Sequence, residues 1–137
     1  DHKRLQTLLY KQSGLLGVSG ISADMRRLRA ETSPSARKAI ALFTHRVVRE
    51  SGAMVACAQG LDVLAFSGGI GEHDVQLRAD VCQQLAWLGV SVDAQANQAA
   101  VGDVVTPIQA AGSAVEVWVV PTDEGMVAAE EAASLVN

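Results

Sequence analysis

The stretch Asp62-Val63-Leu64-Ala65-Phe66-Ser67-Gly68-Gly69-Ile70-Gly71-Glu72-His73-Asp74 decides how this chain is built. A short apolar run between turn signals has the pattern of a buried strand. It runs into a glycine-rich turn, and Asp74 is placed to cap a following helix. That helix stacks Leu77, Val81, Leu85 and Leu88 at three- and four-residue steps and stops at Gly89, a good residue just past a helix end. Downstream, residues 90–92 and 104–106 have short-strand character. The run Val115-Glu116-Val117-Trp118-Val119-Val120 is the clearest strand, ending at Pro121 ahead of a last helix over 123–135.

Upstream of the stretch, residues 1–12 read as a helix with Leu5, Leu8 and Leu9 on one side, followed by glycine-punctuated residues 13–20. A short helical segment covers 24–29. Ser33 then caps a long helix that begins with Pro34, because proline suits a first helical turn. Ala36, Ile40, Phe43, Val47 and Met54 keep helical spacing as far as residue 58. Strand, glycine turn, helix, then strand, loop, helix is α/β construction, which places ligand chemistry at strand C-terminal ends.

Composition bounds the function. The 137 residues are 49% hydrophobic and only 4% aromatic, so the core is aliphatic. No apolar run approaches the roughly 20 residues of a membrane helix. The chain opens Asp-His-Lys-Arg, without Met or an apolar signal segment, as a piece of a longer chain does. Cys57 and Cys82 lie in apolar helical surroundings without metal-ligand spacing and read as core thiols of a reducing cytosol. The net charge of −4 is unevenly spread: residues 1–50 hold ten of the eleven basic side chains beside four acids, and Arg78 alone faces eleven acids in the remainder. Such asymmetry suits an anion-binding half or a basic helix surface in water. No aromatic platform or zinc module accompanies the basic stretch, which argues against nucleic acid.

Three segments could carry chemistry. In Ser67-Gly68-Gly69-Ile70-Gly71-Glu72-His73-Asp74, glycines let the backbone approach a ligand; an ordinary tight turn reads equally well. No Lys-Ser/Thr follows, so it is not a Walker loop, and Asp74 at the third glycine position disfavours a dinucleotide Rossmann turn. Glu72 and Asp74 repel a bare triphosphate, so the turn suits a nucleoside or a metal-neutralised phosphate. Pro121-Thr122-Asp123-Glu124 at a strand end could hold Mg²⁺, or Thr122 could cap the next helix with its acids on the dipole. Finally, Ser19-Gly20-Ile21-Ser22-Ala23-Asp24-Met25-Arg26 offers an Asp and an Arg for a ribose and a phosphate, or a helix cap with a solvated arginine.

Together and in this order, the segments resemble the acetate kinase family, which includes propionate kinases. The matching stretches are residues 9–26 (LYKQSGLLGVSGISADMR), 66–72 (FSGGIGE), 85–90 (LAWLGV) and 119–124 (VVPTDE). The resemblance implies the C-terminal portion of an enzyme with an actin-like, ribonuclease-H-like α/β fold, its sheet flanked by helices. The implied reaction is reversible phosphate transfer from ATP to acetate or propionate, using Mg²⁺, in a cytoplasmic homodimer. On this reading the whole chain, 1–137, is part of a C-terminal nucleotide-binding domain. The resemblance places Asp24, Met25 and Arg26 on a nucleotide-contacting triplet. It places Gly69, Ile70, Gly71, Glu72 and His73 on the turn around the adenosine and inner phosphate, and Glu124 on the carboxylate assigned to Mg²⁺. His73 stands where Asn is commoner, and Gly125 replaces a second acid. The family's catalytic arginines, histidine and acyl pocket come from sequence upstream of these residues, so no catalytic residue is assigned. The 137-residue chain alone is expected to lack kinase activity, in contrast to the full enzyme. The competing expectation is a non-catalytic nucleotide-binding or dimerisation module; a Rossmann enzyme and a butyrate kinase rank behind it.

Overall fold

The computed structural model describes residues 1–123, 125–126 and 132–135. These fall into two units, Asp1–Gln59 and Gly60–Asn137.

The first unit is helical. α1 (His2–Lys11) starts at Asp1, whose carboxylate accepts from the Lys3 N–H, and buries none of its residues. α2 (Gly14–Ser19) forms in the glycine-punctuated stretch: its glycines do not prevent a six-residue helix, and Gly20, at φ 67°, ends it. α3 (Met25–Ala30) is capped by Asp24. α4 (Pro34–Ala58) begins as the sequence indicates, with Ser33 Oγ accepting from the Ala36 N–H at 3.2 Å. Leu28, Ala36 and Ala39 form the core, with Leu15, Val18, Ile21 and Ile40 packed around them. The last turns of α4 depart from expectation. Met54 is 62% exposed and Cys57 is exposed too, because the buried residues of α4 all lie at or before Thr44.

The second unit carries the sheet. β1 (Val63–Phe66) leads into α5 (Gly68–His73) and α6 (Val75–Gln84); a 3₁₀ turn (Ala86–Leu88) and α7 (Ala94–Ala99) follow. β2 (Thr106–Pro107) and β3 (Glu116–Val119) complete a sheet of order β1-β3-β2. β3 is central, parallel to β1 with Phe66 opposite Val119, and antiparallel to β2 with Thr106 opposite Val119. Residues 90–92 supply only one bridge, Val92 to Gln109. Val117 and Val119 point to the core with Ile108, Val81, Leu85 and Val115, all almost fully buried. β1 is less buried than its apolar sequence suggests: it is an edge strand, and Val63 is 51% exposed. Of the helix expected over 123–135, residues 125–126 and 132–135 are helical, and residues 124 and 127–131 lie outside the described residues. No helix among the described residues is long and apolar enough to cross a membrane.

Candidate functional site

β1 and β3 run parallel and end side by side at Phe66 and Val119. In open α/β sheets, ligands bind beyond such paired C-terminal ends. The chain leaving β1 turns directly into α5, so the glycine segment is helical where the sequence suggests a loop. Its glycines differ in what they face. A Cβ on Gly71 would lie 3.3 Å from the Phe66 carbonyl carbon, so this glycine lets α5 pack onto the strand it follows. A Cβ on Gly69 would meet no atom within 4 Å. Nothing in the fold itself requires glycine at 69.

Two segments singled out in the sequence meet in this unit. Glu72, on α5, is 7% exposed, and its Oε1 accepts from the Thr122 hydroxyl at 2.8 Å and the Thr122 N–H at 3.0 Å. Chiefly through the Thr122 hydroxyl, its carboxyl is held below the ordinary value; the Thr122 and Gly68 backbone amides act in the same direction. Thr122 therefore ties β3's exit to α5 and does not cap the next helix. Asp123 does the capping, with Oδ1 accepting from the N–H groups of Gly125 at 3.0 Å and Met126 at 3.1 Å. His73 also faces its own unit: Nδ1 lies 2.9 Å from the Val101 carbonyl, which can only accept, so Nδ1 carries the hydrogen of this bond. Gly102 makes this approach possible, since a Cβ there would come within 2.8 Å of both Glu72 Cβ and His73 Cε1.

Asp74 caps α6 as expected, accepting from the Leu77 N–H at 2.9 Å. Arg78, read from the sequence only as the lone base of an acidic half, is fully buried. Burial depresses its pKa, against the fields of Asp74 and Cys82. Residues 78, 81 and 82 share one face of α6, with Leu85 just past its end, and the other three are buried and apolar, a spacing that hints at an inward Arg78.

In the first unit, Asp24 and Arg26 engage each other. Arg26 Nε donates to Oδ1 at 3.1 Å and Nη2 to Oδ2 at 2.8 Å, while the Arg26 N–H donates to Oδ1 at 2.9 Å. The Arg26 side chain is 91% exposed. The pair holds the Asp24 carboxyl below its ordinary range and raises the guanidinium. Ser19 and Ser22 shape the preceding turn: Ser19 Oγ accepts from Ile21 N–H at 3.0 Å and Ser22 Oγ from Asp24 N–H at 3.0 Å. Met25 is buried.

Glu124, the expected Mg²⁺ ligand, lies outside the described residues. Among those described, no three His, Cys, Asp or Glu side chains gather closely enough to hold a metal ion. The carboxylates near β3's exit are already engaged, Glu72 with Thr122 and Asp123 as a cap, so the described residues do not by themselves fit a metal.

Comparison with known proteins gives a consistent picture. The model of the Acetokinase family matches residues 2–130. The acetate kinase of Rhodopseudomonas palustris is 50% identical over 127 residues, 93% of this chain and 31% of the relative. The crystal structure of Porphyromonas gingivalis acetate kinase superposes with a TM-score of 0.86 at 32% identity, covering 100% of this chain and 35% of that one. A Francisella tularensis propionate kinase gives 0.80 at 33% identity, with coverages of 96% and 33%. The chain thus spans about a third of the length of these relatives. The mixed α/β build is part of the ribonuclease-H-like, actin-like ATPase architecture of these structures, as the sequence indicated. The chain belongs to the acetokinase family.

Proposed function

We propose that this chain forms the nucleotide-facing C-terminal portion of a cytoplasmic, homodimeric kinase that moves the γ-phosphate of ATP reversibly to acetate or propionate. One observation supports the reading most directly: the Glu72–Thr122 hydrogen bonds join α5 to the exit of β3 at the ends of two parallel strands. Around that junction, Gly69 offers backbone with open space beside it. Gly71 fixes α5 against Phe66, and Glu72 and His73 hold the flanking segments. Glu72 is thereby an internal tie, with Oε1 engaged by the Thr122 hydroxyl and N–H. By family resemblance, Asp24, Met25 and Arg26 contact the nucleotide, and Arg26 must share or release Asp24 to reach a phosphate. The same resemblance gives Glu124 to Mg²⁺, which when bound offsets charge on the phosphates.

Phosphoryl transfer also needs positive charge around the moving group and a positioned acceptor. No such set is assigned among these 137 residues, so the polypeptide alone binds nucleotide weakly and forms no acyl phosphate. Titration calorimetry with ATP and ADP, with and without Mg²⁺, tests the reading. Expected is Mg²⁺-dependent binding that is lost in Gly69→Val and weakened in Glu124→Ala. Binding unaffected by Gly69→Val would overturn the assignment, and acetyl phosphate formation by the chain alone would overturn its inactivity.

A further inference from the structure

The guanidinium of Arg78 places all of its hydrogen-bonding nitrogens on backbone or amide acceptors inside the second unit. Nη1 donates to the carbonyls of Gly71 at 3.0 Å and Glu72 at 2.6 Å, both in the last turn of α5. Nη2 donates to the carbonyls of Asn97 at 2.8 Å and Ala100 at 2.9 Å, at the end of α7. Nε donates to the Asn97 side-chain oxygen at 2.7 Å, and that amide donates back to the Val75 carbonyl at 3.0 Å, at the start of α6. These bonds use the five N–H groups of the fork. Helix ends leave carbonyls without intrahelical partners. One buried cation therefore serves the carbonyl ends of two helices, whose partial negative charge favours it.

We propose that Arg78 is a positioning residue for the nucleotide site. It fixes the C-terminal end of α5 so that the open backbone at Gly69 and the Glu72–Thr122 tie keep one geometry. The inference rests on the nucleotide reading above, but it concerns a residue buried behind α5 that cannot touch a ligand. α5 is only six residues long and is held at one end by β1. Its other end is held by Arg78, by Glu72 and by His73, and Arg78 binds the backbone carbonyls of the last turn directly. Lysine preserves the charge but lacks the planar fork, so it cannot reach α5 and α7 together.

The test compares Arg78→Lys with Leu85→Ala, a core truncation just past the end of α6 whose apolar side chain cannot hydrogen-bond the α5 carbonyls. MgADP affinity is measured by calorimetry, and amide hydrogen exchange is followed across α5, β1 and β3 at a temperature where circular dichroism shows every variant folded. Arg78→Lys is expected to weaken MgADP binding at least tenfold and to speed exchange in α5 selectively. Leu85→Ala, destabilised to a similar degree, is expected to change affinity less than twofold. Equal effects from the two variants would reduce Arg78 to a structural residue and overturn the proposal. Should Arg78→Lys fail to fold, Asn97→Ser removes the amide that aims the guanidinium through Nε and so loosens its bonds to the α5 carbonyls; an affinity loss of twofold or more with faster exchange in α5 supports the proposal, and unchanged affinity overturns it. Absence of MgADP binding by the unsubstituted chain would instead defeat the nucleotide reading, and this inference with it.

Discussion

Gly69 and Gly71 sit two residues apart in one short helix, and the structure assigns their substitutions opposite signs. A Cβ at Gly69 meets nothing within 4 Å, so alanine there removes backbone freedom from the unfolded chain without a clash. Gly69 is the second residue of α5, and a gain of about 0.5 kcal/mol is expected. At Gly71 the new methyl falls 3.3 Å from the Phe66 carbonyl carbon and 3.5 Å from its Cα and Cβ. Phe66 cannot easily yield, since its backbone is paired with β3 and its carbonyl accepts from the Val120 N–H at 2.8 Å. Overpacking of this kind costs about 1–3 kcal/mol. Less the helix gain, Gly71→Ala should lose about 0.5–2.5 kcal/mol. The two tryptophans, Trp87 and Trp118, both lie in the second unit, so urea unfolding followed by their fluorescence reports it directly. With a denaturant slope of about 1–3 kcal/mol per molar, the Gly69→Ala midpoint rises by about 0.2–0.5 M and the Gly71→Ala midpoint falls by about 0.2–2.5 M. Destabilisation by Gly69→Ala, or a neutral Gly71→Ala, would refute the reasoning. A stabilised Gly69→Ala that binds MgADP less well would separate the glycine's role in the ligand site from any role in the fold.

Three further outcomes follow from the same structure. The Glu72 carboxyl is held below its ordinary value of 4.5, so its contribution is present above that pH and lost as the pH falls through the lower folded-state value; Thr122→Val should therefore flatten the acid limb of second-unit stability, and an unchanged slope would contradict the tie. Cys57 is exposed while Cys82 is buried with its thiol pushed up to about 11, so a maleimide should label Cys57 alone in the native protein and both after urea, as read by peptide mass spectrometry. Leu28→Ala should cost about 2–5 kcal/mol, because Leu28 is fully buried in the first unit's core, whereas Met54→Ala should stay within about 0.5 kcal/mol. Circular dichroism during urea unfolding distinguishes these two.

The strongest local signals in the sequence carried through to the structure. Ser33-Pro34 starts α4, Asp74 caps α6 and Asp24 caps α3, because each is a local hydrogen-bonding choice that needs no distant partner. Helix at α2 and α5 was not legible, since glycine lowers helix propensity and only packing overrides it. Met54 and Cys57 sat on an apolar stripe that periodicity marks as buried, but periodicity cannot say what covers it. At the site, the glycine turn and the strand exit were recognised separately. Their link through Glu72 and Thr122 was not, because it spans 50 residues of sequence. Arg78 was visible as the single base of an acidic half, and only its carbonyl partners on two helices explain why it is buried.

Hydrogen exchange of the 137-residue chain with and without MgADP tests the central claim most directly, since it reads where the nucleotide lands and not only whether it binds. Slowed exchange is expected at residues 67–73 and 119–123 when MgADP is present at millimolar concentration. Protection confined to other segments, or a profile that MgADP leaves unchanged, would contradict it.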